Sequence, residues 1–121
     1  MTELFDGAPT LAGAATGHGS RLERYRLHAE ICKVLTDPKR LMLIDAMRPG
    51  ERSVGELAGA VGLSLANVSQ HLAVLRHAGL VDTRRAGTSI HYRLSEPELV
   101  AACDIIERIV GRRLGHSTKG N

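Results

Sequence analysis

Apolar residues along this chain follow two kinds of spacing, one helical and one alternating. Residues 1–19 follow neither and are rich in Gly, Ala, Thr and Pro, which predicts a flexible N-terminal tail. From residue 20 to about residue 36, apolar side chains recur three or four residues apart, as on one face of a helix. This first stripe consists of Leu22, Tyr25, Ala29, Cys32 and Leu35.

Two further helices have recognisable start and stop signals. Asp37-Pro38 supplies an N-cap oxygen and a preset first helical position, so a second helix is predicted to run to about residue 47. Ser53 and Glu56 have the spacing of a capping box and open a third helix, which Gly62 ends by adopting a left-handed conformation. The side chains that this third helix is expected to bury are Val54, Leu57, Ala58 and Val61.

A fourth helix follows after a turn of about three residues. Ser64 caps it, Gly79 terminates it after about residue 77, and its inner face carries apolar side chains. These are Val68, Leu72 and Leu75. Two helices joined by so short a glycine-containing turn are typical of a helix-turn-helix.

Alternation then replaces the helical period. Residues 80–85 and 89–94 predict two strands of a hairpin, in which Gly87 supplies the positive φ of the turn.

A final helix is predicted to open at 95–98, where Ser95, Glu96, Pro97 and Glu98 have the pattern of a second capping box. Its wide apolar stripe consists of Leu99, Ala102, Cys103, Ile106, Ile109, Val110 and Leu114. We expect one domain over 20–115 and a C-terminal tail over 116–121. The fold class is mainly α with a small β-hairpin, a winged helix-turn-helix in the order α-α-α-α-β-β-α.

The net positive charge is concentrated in one part of the chain. All of the net charge of +3 lies between residues 64 and 93, and the rest of the 121-residue chain is balanced. Aromatic residues make up 2%, which leaves little surface for stacking on sugars, flavins or single-stranded bases. The longest strongly apolar run, 41–44, is far too short to cross a bilayer, and no signal peptide precedes it. These features predict a soluble cytoplasmic protein without a membrane partner.

A helix-turn-helix followed by a basic hairpin indicates binding to double-stranded DNA. The second helix of the pair fits the major groove, and the hairpin reaches the adjoining backbone or minor groove. The candidates for base contacts are Asn67, Ser69, Gln70 and His71. On or beside the hairpin, the candidates for phosphate contacts or for an arginine in a narrow minor groove are Arg84, Arg85, Thr88 and Arg93. Further DNA-binding candidates are Arg76, and Lys39 and Arg40 at the start of the second helix. The alternative is a solvated helix face and a charged edge that prevents strand aggregation.

Four stretches of the chain resemble the ArsR/SmtB winged-helix repressors. They are LTDPKRLMLI at 35–44, SVGELA at 53–58, VSQHLAVLRHAGLV at 68–81, and 84–94 around the hairpin turn. The third is the most specific, and the resemblance covers residues 31 to about 110. It implies a homodimer built from the first and last helices, which binds an inverted-repeat operator and represses transcription until an effector releases it.

A dimer is also expected from the residues themselves. The final helix is apolar over more of its circumference than one small domain can cover, which favours a partner over packing back on its own domain. A two-fold axis would place two recognition helices about one DNA turn apart.

The effector sites that the resemblance implies are altered in this sequence. The helix before the recognition helix, 53–61, has no Cys or His for a thiolate metal site. Ile109 and Arg112 stand where histidines of a site on the final helix are expected, and Asp45 and Gly111 stand where a sulfur-sensing cysteine pair is expected.

Two cysteines remain as candidates for an effector or redox site. Cys32 and Cys103 lie on the helices expected at the dimer interface, with His28 one turn before the first and Glu107 one turn after the second. A thiol modification or a soft metal ion would suit them, and no cofactor is certain. Free cysteine is more commonly a small buried apolar residue, and we favour that role.

Two other function classes are alternatives to a DNA-binding repressor. A winged helix can serve as a protein-protein interaction module without specific DNA binding, but the polar helix face and concentrated charge argue against it. An enzyme is not expected, because the sequence has no Gly-rich phosphate loop, no HExxH motif and no recognisable Ser, His and Asp arrangement.

Overall fold

The computed structural model describes residues 20–119, with side chains for residues 20–115. Its elements are α1 (Ser20–Val34), α2 (Pro38–Ala46), β1 (Arg52–Ser53), α3 (Val54–Val61), α4 (Leu65–His77), β2 (Val81–Ala86), β3 (Ser89–Leu94) and α5 (Leu99–Lys119). The predicted N-terminal tail, 1–19, lies outside the described residues, as do 120 and 121. The winged helix-turn-helix order is confirmed, with one strand added.

The core is aliphatic and lies where α2, α3, α4 and the hairpin meet. Its fully buried side chains come from the faces that the spacing predicted on α3 and α4, joined by the second half of α2 and the inner side of the hairpin. The members are Leu43, Ile44, Met47, Leu57, Ala58, Val68, Leu72, Leu75, Leu80, Val81 and Leu94. Val54 and Val61 pack against this core while remaining partly exposed.

The helix ends confirm most of the predicted signals. Asp37 accepts hydrogen bonds from the backbone N–H groups of Lys39 at 2.7 Å and Arg40 at 3.3 Å. At α3, Glu56 N–H donates to Ser53 Oγ at 3.1 Å and Ser53 N–H donates to Glu56 Oε1 at 2.8 Å. That second bond lowers the pKa of the Glu56 carboxyl, because it stabilises the charged form.

The helix α4, which is the second of the helix-turn-helix, is fixed at both ends. Asn67 N–H donates to Ser64 Oγ at 3.1 Å at the start of the helix. At the other end, Gly79 has a φ of +80° and its N–H donates to Arg76 O, while Leu80 N–H donates to Leu75 O, both at 2.9 Å. This pair of bonds is a Schellman motif, which satisfies the last carbonyls of the helix.

The sheet has three strands, one more than the sequence predicted. Its order is β1-β3-β2 and all neighbours are antiparallel, with Ser53 opposite His91. The two residues of β1 are too few for an alternating pattern, and the same Ser53 also serves as the cap of α3. The hairpin itself matches the prediction: Ala86 pairs with Ser89 around a two-residue loop in which Gly87 has a φ of +64°.

Two expectations about α5 are wrong. The predicted capping box over 95–98 does not form: α5 begins at Leu99, and Ser95 Oγ donates instead to Asp82 Oδ1 on β2 at 2.9 Å. The helix also continues to Lys119, so the tail predicted over 116–121 is helical through residue 119. No proline interrupts this stretch, and a glycine inside a helix weakens it without ending it, so Gly115 is no stop signal.

The outer helices α1 and α5 leave much of their apolar surface exposed. No described residue of α1 is buried, and Tyr25 is 61% exposed. On α5, Ile106 is 60% exposed, and Ile105, Ile109 and Val110 are exposed as well. The predicted stripes therefore exist, but this single subunit does not cover them.

An arginine bracket connects α5 to the core domain. Arg48 donates to Asp45 at 2.8 and 3.0 Å and to both carboxylate oxygens of Asp104 at 2.8 and 3.1 Å. The hydrogen bond from Arg48 holds the pKa of the Asp104 carboxyl below its usual value, and the two carboxylates raise that of the guanidinium. The bracket thus ties the second turn of α5 to the end of α2.

Within the described part of the chain, no single helix combines the length and apolarity needed to span a membrane. The pair α3 and α4 reaches the required composition when joined, but it is bent by 109° at the turn between the two helices.

Candidate nucleic-acid interface

The candidate base-contact residues of α4 lie outside its buried face. Val68, Leu72 and Leu75 are 0% exposed and fix the rotation of the helix about its axis. Ser69 and Gln70 are consequently exposed, while Asn67 and His71 are partly exposed. Hydroxyl, amide and imidazole groups are thus presented on one helix that the core holds rigidly, which is the arrangement that reading of base edges requires.

His71 has a neighbour that the sequence did not indicate. Its Nδ1 lies 3.5 Å from Nη1 of Arg40, whose Nε donates to the carbonyl oxygen of Val34 at 2.7 Å. Arg40 also lies 3.9 Å from Asp37, and its side chain is only 17% exposed. Arg40 therefore ties the α1–α2 corner to α4, whereas Lys39 beside it is exposed. The DNA role predicted for these two residues stays a prediction.

The arginines of the hairpin differ in their partners. Arg84 forms an ion pair with Glu51, and Arg93 Nε lies 3.7 Å from Asp82 Oδ2. Arg85 is exposed and forms no ion pair with any described residue, and Thr88 is exposed in the turn. The sequence placed all of these residues on the wing, but it did not distinguish paired from unpaired guanidinium groups.

An open cleft of about 660 Å³ separates the end of α4 from the outer face of the hairpin. Arg76 on α4, Arg84 and Arg93 line it together with the carboxylates of Glu51 and Asp82. Among the described residues, Arg76 has no carboxylate partner, so the three arginines and two carboxylates leave the cleft weakly positive.

Sequence reasoning missed Glu51. Glu51 lies outside the basic segment 64–93 and just before the short strand β1. Its approach to Arg84 depends on the pairing of β1 with β3, which no sequence pattern predicted. The +3 counted along the sequence therefore overstates the charge available on the hairpin surface.

The candidate effector residues do not form a metal-binding group within one subunit. Cys32 is exposed on α1, so the buried role favoured for it is not found in this subunit, and Cys103 is partly buried on α5. No group of three or more His, Cys, Asp or Glu side chains suited to a metal ion occurs in the described residues, and this includes those around His28 and Glu107. Burial raises the pKa of the Cys103 thiol, and the Asp104 carboxylate beside it adds to that effect.

Comparison with known proteins agrees with this geometry. The family described as "Bacterial regulatory protein, arsR family" matches residues 37–83, which cover α2 through the first half of β2. The uncharacterized HTH-type transcriptional regulator Rv0081 of Mycobacterium tuberculosis is 37% identical over 91 residues, 74% of this chain and 80% of that protein. Its crystal structure superposes with a TM-score of 0.67 and 36% identity, covering 78% of this chain and 95% of that one.

One further relative is named as a repressor, and another is described as a homodimer. The biofilm growth-associated repressor of Xylella fastidiosa is 47% identical over 68 residues, 56% of this chain and 60% of that protein. The solution structure of a homodimeric winged helix-turn-helix DNA-binding domain from Mycobacterium bovis has a TM-score of 0.72 and 28% identity, covering 83% of this chain and 93% of that one.

These relatives are regulators of transcription rather than enzymes, and they do not favour a pure protein-protein interaction module. The matched family segment contains the helix-turn-helix whose polar face and caps are described above. The chain belongs to the ArsR family of bacterial transcriptional regulators, with a DNA-binding winged helix-turn-helix.

Proposed function

We propose that this protein is a homodimeric repressor that binds an inverted-repeat operator in the cytoplasm, with α4 in the major groove and the β2–β3 hairpin on the adjoining backbone. The observation that carries this proposal is the two-sided character of α4. Its apolar face is completely buried, and Asn67, Ser69, Gln70 and His71 lie away from that face on a helix capped at both ends.

The proposed dimer interface is formed by α1 and α5. Tyr25 and Leu22 on α1 are exposed, as are Ile105, Ile106 and Ile109 on α5. Exposed apolar side chains of this kind mark a protein interface, and each square ångström of apolar surface that is buried contributes about 25 cal/mol. A relative with the same fold is a homodimer, which supports dimerisation of this chain.

The dimer is tested by light scattering after size exclusion, with Ile106→Glu placed in the proposed interface and Ile90→Glu on the partly exposed hairpin as control. We expect the first variant to be a monomer and the second to keep the mass of a dimer. A dimeric Ile106→Glu protein would contradict this interface.

DNA binding is tested by selection from a pool of duplexes with random central sequence, followed by fluorescence anisotropy on the recovered duplex. We expect an inverted repeat whose half-sites are spaced by about one helical turn. Replacing Gln70 with Ala should weaken binding by about 1–3 kcal/mol if it pairs with a base. Recovery of no preferred sequence would contradict the proposal.

For release from DNA we propose a thiol-reactive effector acting on α1 and α5, where both cysteines lie. The exposure of Cys32 supports access by a small reagent, whereas the raised pKa of Cys103 disfavours the reactive thiolate. The test is a DNA titration under reduced, oxidised, persulfidated and metal-loaded conditions, with Cys32→Ser and Cys103→Ser alongside. An affinity that no condition changes would assign both thiols a packing role only.

A further inference from the structure

The outer face of the sheet carries charges of both signs in a fixed order. Arg84 on β2 lies opposite His91 on β3, which lies opposite Ser53 on β1, while Asp82 lies opposite Arg93. Side chains directly opposite in an antiparallel pair share one face, as do residues two apart along a strand. Both hairpin pairs are therefore on the face that lines the cleft beside α4.

Glu51 immediately precedes β1 in the chain, and its side chain reaches this face of the sheet. Its carboxylate pairs with the guanidinium of Arg84, and the same oxygen lies 3.7 Å from Nδ1 of His91. The Glu51 side chain is 31% exposed against 61% for that of Arg84, so the acid is the better fixed partner. Strand pairing of Arg52 with Tyr92 holds the backbone next to Glu51 in place.

From this arrangement we propose that Glu51 is an acidic brake on the sequence-independent part of DNA binding. In the free protein, the Glu51 carboxylate pairs with the guanidinium of Arg84, and it repels a DNA phosphate that approaches the same guanidinium. The inference rests on the proposed function, in which the hairpin meets the DNA backbone. It adds a residue outside the recognition helix and the hairpin that sets the electrostatic contribution to affinity.

Arg85 is the hairpin arginine with which Arg84 can be compared. It lies opposite Ile90 on the other face of the sheet, is exposed and has no carboxylate partner among the described residues. The two adjacent arginines thus differ in the face of the sheet on which they lie and in pairing, since only Arg84 has a carboxylate partner before DNA binds.

The test compares the full chain with Glu51→Gln, using anisotropy on a fluorescein-labelled 30-base-pair duplex of random sequence and on the duplex recovered by selection. Glu98→Gln is the matched control, because Glu98 is exposed and forms no ion pair among the described residues. The double variant Glu51→Gln/Arg84→Gln tests whether the effect passes through Arg84. Thermal unfolding establishes that each variant is folded.

We expect Glu51→Gln to bind both duplexes about threefold or more tighter at 50 mM salt, with a slope of log affinity against log salt steeper by about 1.8 for two hairpins. Glu98→Gln should match the unaltered protein, and the double variant should lose the gain. If Glu51→Gln binds no tighter than Glu98→Gln, or more weakly than the unaltered protein, the brake is refuted while the proposed function stands. Absence of duplex binding by the unaltered protein would refute both.

Discussion

Replacing Arg85 with Ala should weaken the salt dependence of DNA binding by the contribution of one phosphate contact in each subunit. Arg85 is exposed near the end of β2 and no described carboxylate neutralises it, so its whole charge is available to a phosphate. Each phosphate contact contributes about 0.9 to the slope of log affinity against log salt, so a dimer with two hairpins loses about 1.8. Between 50 and 200 mM salt, the unaltered protein should therefore lose about 12-fold more affinity than the variant.

The measurement is fluorescence anisotropy on one duplex at four salt concentrations over that range. Lys33→Ala serves as the control, because it removes the same charge from an exposed position in the last turn of α1. Its slope should match that of the unaltered protein. An Arg85→Ala slope equal to that of the control would show that Arg85 meets no phosphate, and the wing would lose its assigned role.

Three further outcomes follow from the caps, the partly buried thiol of Cys103 and the arginine bracket. Ser64→Ala removes the N-cap of α4 and should cost about 1 kcal/mol in urea unfolding, whereas Ser69→Ala, in the exposed part of the helix, should cost less than half of that. Because the pKa of Cys103 is raised, its alkylation by iodoacetamide in the Cys32→Ser protein should have a higher pH midpoint than in urea; an equal midpoint would contradict burial. Because the pKa of Asp104 is lowered, its stabilising effect is present above the ordinary carboxyl pKa of 3.8 and is lost as pH falls through the lowered value. The substitution Asp104→Asn should therefore reduce Tm at pH 7 and make progressively less difference to Tm below pH 4. A difference in Tm that does not depend on pH would contradict the ion pair.

Local signals in the sequence predicted most of the fold. The Ser53 and Glu56 box, the Ser64 cap and the positive φ at Gly87 all act within a few residues, so the sequence alone contains the partners. Helical spacing likewise identified the buried face of α4, because one apolar stripe on a short helix can face only one core.

The failures share a different cause. Ser95 has the right spacing for a cap, but Asp82 on β2 competes for its hydroxyl across 13 residues. The strand β1 and the contact between Glu51 and Arg84 arise only when distant segments meet, as does the burial of Arg40 beside His71. Candidate DNA contacts could therefore be chosen by position and residue type, but not ranked by the charge that each has available.

The two fixed ends of α4 have a consequence for how this regulator can be switched. A helix that is capped by Ser64 at its start and by the Gly79 motif at its end has a high free-energy cost of local unfolding. Unfolding of α4 is therefore an unfavourable route to release from DNA. In the proposed dimer, a signal that releases DNA has to move two intact helices relative to each other until they no longer match the pitch of the duplex. Under that proposal, transcription is controlled by the spacing between two rigid helices, set at a distance from the bases that are read.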